Sequence, residues 1–302
     1  MRVVIALGGN ALLQRGQPMD AATQRANAKV AAESIARVAR LHEVVVTHGN
    51  GPQVGLLAIQ GALDPDTEPY PLDVLDAETE GMIGYVLGQE LGHHLTPSRL
   101  ATILTQVVVD PDDPAFDHPT KPVGRVYGAD ERDRLASAHP GWQFAPDGDG
   151  WRRVVPSPEP VDIVELETIR TLVDRGITVI CTGGGGIPVA RDERGLLHGV
   201  EAVIDKDLSA QLLASSIDAD ALLLLTDVDG VHRGWGTPAS ELIGAASAAE
   251  LRALDLPRGS MGPKVEAVCR FVEGGPGRIA GIGGLADALD ILAGVAGTRI
   301  GC

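Results

Sequence analysis

A three-layer α/β/α sandwich around a mainly parallel open sheet is the fold class this 302-residue sequence predicts. Three observations predict it. Apolar, β-branched runs alternate with helical stretches, the pattern of a parallel sheet covered on both faces. Apolar residues make up 44% of the chain, ample for a core, while aromatics supply only 3%, so aliphatic packing dominates. Three of the runs end directly in glycine, as strands of a parallel sheet do where they turn towards a helix at a ligand site.

The elements follow in order. Residues 3–7, all apolar, read as the first strand, and residues 21–41 as a long alanine-rich helix with Lys29 on its polar surface. The valine run in 43–47 is the second strand, and 74–95 a helix bounded by Pro97. Residues 101–109 read as one long strand. After a break, helix 163–175, strand 177–182, helix 208–216, strand 221–226, helix 263–273, strand 278–282 and helix 285–292 complete the alternation. Such an order folds with right-handed crossovers. The chain reads as a single domain, 1–302, and the break, about 110–160, as a small lid-like lobe inserted within it. That segment is rich in Pro, Asp and Gly, but Phe116, Tyr127, Trp142, Phe144 and Trp151 favour order, because disordered segments are poor in aromatics.

Composition excludes several functions. A formal charge of −16 argues against a nucleic-acid partner, since phosphate contacts need a positive face. No apolar window has the length of a membrane span, and the apolar N-terminal run is too short for a signal peptide, so a soluble cytoplasmic protein is expected. Cys181, Cys269 and Cys302 are odd in number and widely spaced, which fits neither a disulfide framework nor a zinc site. No dedicated metal cage is visible. There is no GxxxxGK[ST], no GxGxxG after the first strand, and no HRD or DFG set.

What remains is an anion site of another type. The chain holds four lysines against 21 arginines, and three of the four sit among glycine, proline and aspartate: Lys121, Lys206 and Lys264. Lysine is a mobile point charge that can follow a moving phosphoryl group, whereas guanidinium is a rigid fork. The strand ends at Gly8-Gly9-Asn10, His48-Gly49-Asn50-Gly51 and Gly183-Gly184-Gly185-Gly186 can turn backbone N–H groups towards an anion. Simpler readings stand beside these. His48 reads as a structural hydrogen-bonder, Asp205 as a helix N-cap, and Asp227 and Asp229 as turn caps. Glu78 and Glu80 are expected to face solvent, and Met82 and Tyr85 to be core or dimer contacts.

Long strings carry a family resemblance. Ala6-Leu7-Gly8-Gly9-Asn10-Ala11-Leu12, Thr47-His48-Gly49-Asn50-Gly51-Pro52-Gln53-Val54-Gly55, Gly183–Gly185 with Gly186-Ile187-Pro188-Val189, and Thr105-Gln106-Val107-Val108-Val109-Asp110 are similar to the amino acid kinase family. So are Thr120-Lys121-Pro122-Val123-Gly124, Trp151-Arg152-Arg153, and the segments 201–207 and 259–264. Within the family they most resemble the branch that phosphorylates carbamate, and the matches reach the tail Gly297-Thr298-Arg299-Ile300.

That resemblance implies reversible phosphoryl transfer, carbamoyl phosphate plus ADP exchanging with carbamate plus ATP, with Mg²⁺ held mainly through the nucleotide phosphates. It implies a homodimer, and arginine metabolism among the settings. It implies a catalytic set of Lys206, Lys264, Asp207 and Lys121, with Asp207 holding the lysines and Lys121 reaching in from the lobe. Gly8, Gly9, Asn10, His48, Gly49, Asn50, Gly51, Gly183, Gly184 and Gly185 would bind the substrate. Asp205, Lys206, Thr226, Asp227, Val228, Met261 and Lys264 would bind the nucleotide. Many relatives carry a lysine in the first strand, where this chain has Val4-Ile5-Ala6. Two rivals remain at this stage: a kinase of the same fold acting on an amino-acid carboxylate or a small phosphate, and a non-catalytic binding module.

Overall fold

The computed structural model describes residues 1–13, 16–61, 69–256 and 259–301. The chain runs β1 (Arg2–Leu7), α1 (Gly9–Leu12), α2 (Ala21–Ala39), β2 (Glu43–His48), α3 (Gly51–Gly61), α4 (Leu72–Gly92), β3 (Leu100–Thr102) and β4 (Gln106–Val109). A lobe follows, β5 (Lys121–Tyr127), α5 (Ala129–Ala138), β6 (Gln143–Asp147) and β7 (Gly150–Val155), then β8 (Pro160–Ile163) and α6 (Leu166–Val173). Next come β9 (Thr178–Ile180), β10 (Ile187–Arg191), β11 (Leu197–Gly199), α7 (Lys206–Ser216) and β12 (Ala221–Thr226). Three short strands, β13 (His232–Arg233), β14 (Glu241–Leu242) and β15 (Ala245–Ala246), lead to α8 (Ala248–Arg252) and α9 (Met261–Glu273). The chain closes with β16 (Ile279–Gly284), α10 (Ala288–Ala293) and β17 (Thr298–Gly301).

Eight strands form the main sheet in the order β15-β17-β16-β12-β1-β2-β9-β3. All pairings are parallel except β16 with β17. The central strands are apolar on both sides because both sides are covered. Val3, Ile5 and Leu7 of β1 join Ala221, Leu223 and Leu225 of β12 in one core, under α2, α4 and α10. Val4 and Ala6 join Leu222 and Leu224 in the other, under α6, α7 and α9. Burying each such leucine contributes roughly 1.5–3 kcal/mol, and the strict alternation fixes the register, since a one-residue slip would exchange the two cores. No helix among the described residues is long and apolar enough to cross a membrane.

Register is what positions the site. Leu7 lies opposite His48 on one side and Leu225 on the other. The loops after β1, β2 and β12 therefore emerge level, with Gly8 N–H donating to Leu225 O (2.7 Å) and Gly49 N–H to Leu7 O (3.0 Å). The crevice between β1 and β12 is where the strand order reverses, the usual ligand position in such sheets.

Several elements depart from the sequence reading. The single strand expected over 101–109 is two strands in two sheets. The chain bends at Ile103–Leu104–Thr105, so that β3 stays in the main sheet while β4 pairs with β10 and β8 in a four-stranded one. A continuous β-branched run hides this bend. Helix α3 was not expected, because Gly51, Gly55 and Gly61 are poor helix formers. Gly55 is there for fit: a Cβ on it would lie 2.9 Å from the backbone of Gly124 in β5. The lobe forms a three-stranded antiparallel sheet, β5-β7-β6, with Arg153 stacked on Trp142 (4.0 Å) and Arg132 on Trp151 (4.3 Å). Glu80, expected at the surface, is 1% exposed, because it faces the glycine loop rather than solvent. Met82 and Tyr85 are not core residues; they are 38% and 59% exposed.

Candidate active site

Two helices begin at the carboxyl ends of the sheet, and each brings a lysine in its first turn. Asp205 caps α7, its Oδ1 accepting from the Asp207 N–H (2.9 Å), so the N-cap reading of Asp205 holds. Lys206 and Asp207 open that helix, and α9, packed on α7, supplies Lys264. Lys206 Nζ donates to Asp207 Oδ1 (2.5 Å) and Lys264 Nζ to Asp207 Oδ2 (3.0 Å). Lys121, at the start of β5, donates to Asp205 Oδ2 (2.8 Å). The three lysines singled out in the sequence thus meet two aspartates from one short segment.

The electrostatics follow from burial and pairing. Burial works to raise the Asp207 carboxyl, but the two ammonium groups outweigh it and hold the acid well below the usual carboxylate range. Burial also lowers Lys206, with Asp207 opposing, whereas at Lys264 the pull of Asp207 wins and the ammonium is strengthened. Asp205 is buried too, yet Lys121 keeps its carboxyl low. Two ammoniums on one carboxylate leave a local excess of positive charge in a protein of net charge −16. Cations are disfavoured at helix N-termini, so this excess suits an anionic ligand.

Two cavities flank this cluster: Lys264 lines one and Lys121 the other. One, of about 460 Å³, lies at the β1/β12 crevice and is lined by Gly8, Gly9, Thr226, Asp227, Val228, Met261 and Lys264. The other, about 470 Å³, lies between α3 and the lobe and includes Asn50, Gly51, Lys121 and Arg152. Pro52 borders both. Between them, a Cβ on Gly49 would strike Gly9 N at 2.9 Å and Lys206 Cδ at 3.3 Å, so only glycine lets the two loops and the lysine approach. The structure therefore brings together most of the residues the sequence singled out. The Asn10 side chain lies outside the described residues.

The run Gly183–Gly185, expected to bind substrate, is buried and lines neither of these cavities. A Cβ on Gly183 would lie 2.5 Å from His48 Nε2, on Gly184 2.1 Å from Asn50 Nδ2, and on Gly185 2.6 Å from Ile204 O. His48 is buried, its Nδ1 3.3 Å from Gly49 O, and burial lowers its pKa to about 4. Helix α4 contributes residues that sequence reading missed. Asp76 Oδ1 accepts from Asn50 Nδ2 (2.8 Å), and the same amide donates to Thr79 Oγ1 (2.9 Å). Glu80 accepts backbone N–H groups from Gly183 (2.8 Å) and Thr105 (3.0 Å). The i, i+3, i+4 spacing of Asp76, Thr79 and Glu80 was a visible signal that one helix face carries all three. His232 and Trp235, ring centroids 5.1 Å apart, line the first cavity and were also missed.

Burial raises the Asp76 carboxyl to about 8, with the Asn50 hydrogen bond opposing. A folded-state pKa above the unfolded one adds stability that is complete in acid and is lost as pH rises towards 8. His48, depressed to about 4, acts in the opposite sense and only below about pH 6.5. Between pH 6.5 and 8 the wild-type protein is therefore expected to lose roughly 1 kcal/mol per pH unit from Asp76. Burial raises the Glu80 carboxyl to about 8 as well, so Asp76→Asn, which keeps the bond to Asn50, should remove Asp76's share of the slope in chemical denaturation and leave that of Glu80. An unchanged slope would mean Asp76 is ionised throughout.

Comparison with known proteins agrees with this arrangement. The profile described as the amino acid kinase family matches residues 1–281. A carbamate kinase of Rhizobium meliloti is 58% identical over 290 residues, covering 95% of this chain and 89% of that protein. One of Haemophilus influenzae is 53% identical over 302 residues, covering 99% and 96%. Among solved structures, carbamate kinase from Giardia lamblia bound to AMP-PNP superposes with a TM-score of 0.91 at 42% identity, covering 99% of this chain and 98% of that one. With the profile spanning nearly the whole sheet and both lysine-bearing helices, the chain belongs to the amino acid kinase family.

Proposed function

We propose that this protein is a carbamate kinase, exchanging carbamoyl phosphate and ADP for carbamate and ATP. The observation that carries the reading is the convergence of Lys206 and Lys264 on Asp207, with Lys264 also lining the β1/β12 crevice. The β1/β12 crevice suits the nucleotide, with Thr226, Asp227, Val228 and Met261 along it. The cavity between α3 and the lobe suits carbamoyl phosphate, with Asn50 and Lys121 at its wall. The identity of the most similar relatives supports the same assignment.

In this reading a β-phosphate oxygen of ADP attacks the phosphorus of carbamoyl phosphate. The bond from phosphorus to the carbamate oxygen breaks, and carbamate leaves as an anion with the electron pair, later giving ammonia and bicarbonate. Both nucleophile and leaving group are anions, so no proton moves and no general base is needed. Catalysis reduces to alignment and to neutralising charge on a loose transition state. Lys206 and Lys264 supply that neutralisation, and Asp207 holds both ammoniums in place, opposing the effect of burial on Lys206 and strengthening Lys264. Lys121 would leave Asp205 for the carbamoyl end of the substrate, letting the lobe act as a lid. Among the described residues no group of three His, Cys, Asp or Glu is arranged around a metal, and both Asp207 oxygens are engaged by lysine. That donor set fits Mg²⁺ carried in by the phosphates rather than held in a protein cage. Bound so, it would neutralise phosphate charge. A homodimer belongs to the same proposal, supported by exposed Met82 and Tyr85 on one helix; sedimentation at single-chain mass would remove it.

A coupled assay for ATP formed from ADP and carbamoyl phosphate tests the reading, with the phosphates of acetylglutamate and aspartate alongside. Absence of turnover with carbamoyl phosphate alone would sink it. Lys206→Ala and Lys264→Ala should each lower kcat on the order of 10²–10³ with little change in thermal midpoint. A comparable loss of stability would assign them structural roles instead. Lys121→Ala should chiefly raise the KM for carbamoyl phosphate, by about tenfold or more for a lost charged hydrogen bond. An unaltered KM would take the lobe out of the site.

A further inference from the structure

Glu80 lies in the middle of α4, is buried, and has no part in the chemistry above. Its two carboxyl oxygens accept N–H groups from two distant segments: Oε1 from Gly183 (2.8 Å) and Oε2 from Thr105 (3.0 Å). Thr105 closes the bend between β3 and β4, and Gly183 opens the loop after β9. The carboxyl therefore clips the two together.

The loop it holds is one the backbone resists. Thr182 has φ 48°, and Gly184, Gly185 and Gly186 have φ 72°, 114° and 90°. A β-branched residue in the left-handed region is strained, of order 1–3 kcal/mol, and persists only where surroundings enforce it. Three side chains do so. Thr47 Oγ1 donates to Thr182 O (2.8 Å), Thr182 N–H donates to Thr105 Oγ1 (3.0 Å), and Gly183 N–H donates to Glu80. The loop in turn abuts the reacting groups. It presses on the Asn50 amide through Gly184 and on Ile204, two residues before Lys206, through Gly185. Asp76, one turn before Glu80, fixes the other side of that amide.

We propose that Glu80 is a positioning residue for phosphoryl transfer: by clipping Gly183 to Thr105 it holds the left-handed loop that sets Asn50 and the Lys206 segment against the carbamoyl phosphate. This rests on the carbamate kinase reading. It assigns Glu80 no contact with substrate. The nucleotide cavity is lined by other loops, so the effect falls on one substrate and not on both.

The test is Glu80→Gln, an isosteric change that keeps one acceptor and sets an amide N–H₂ against the other backbone N–H. Two readouts are used: steady-state kinetics with each substrate varied, and amide exchange across 182–186 in the protein without substrate. We expect kcat with carbamoyl phosphate to fall by about tenfold to a hundredfold, as displacements near 1 Å at a reacting group produce, with the KM for ADP within about twofold. Exchange at Gly183 to Gly185 should rise while the rest of the sheet keeps its protection. Wild-type kinetics and wild-type loop exchange in Glu80→Gln would overturn the proposal, as would a loss that merely tracks the folded fraction or raises both KM values alike. If wild type turns over no carbamoyl phosphate, the carbamate kinase reading fails and the catalytic part of this one with it; the exchange readout still judges the clip by itself. If Glu80→Gln does not fold, Thr47→Val removes the clamp on Thr182 O from the opposite side and is held to the same outcomes.

Discussion

Two ammonium groups facing one buried carboxylate organise this end of the molecule. Asp207 is 3% exposed and accepts from Lys206 and Lys264, so either lysine alone still pairs the carboxylate, whereas loss of both would strand a charge that water does not reach. The pair is unbalanced by one positive charge, and both lysines stand at helix N-termini, where a cation is least welcome. Such an arrangement is stable enough to persist but is completed only by an anion. The interaction is thus a stability feature whose residual cost is recovered when phosphate binds.

The rest of the fold can be understood as what brings those three side chains to one point. The alternation of apolar faces in β1 and β12 fixes strand register, and register sets the loops after β1, β2 and β12 level. Packing of α7 on α9 then brings Lys264 to Asp207. On the far side, the lobe reaches back through Lys121 to Asp205, the residue that caps α7. It is also tied through Arg153 to Glu201 (2.7 Å), whose other oxygen accepts from Leu72 N–H. A cap, a helix pair and a lobe share one short acidic segment.

Legibility in the sequence varied with the range of the interaction. The strand β12 was read to its exact bounds, and β1 and β2 to within a residue, because local apolarity decides them. Lys206, Asp207 and Lys264 stood out because they sit in short strings with glycine and proline. The strand over 101–109 was misread because its bend depends on Glu80 and on the 2.9 Å bond from Ile103 N–H to Ile180 O, both far off in sequence. Helix α3 was missed because its glycines oppose helix locally and are justified only by the approach of Gly124. Glu80 was read as a surface residue, since a glutamate in a helix usually is one, and its carboxyl finds its partners only at Thr105 and Gly183, 25 and 103 residues later.

By itself the sequence determined the layering, the alternation of the main-sheet strands with their covering helices, the glycine loops and the scarce lysines, all set by local periodicity and residue chemistry. Only the tertiary structure decided that Lys206 and Lys264 share one carboxylate, that Pro52 borders two cavities, and that α4 turns Asp76 and Glu80 inward. The reason is that hydrogen bonds and charge pairs act over a few ångströms of space, whatever the distance along the chain.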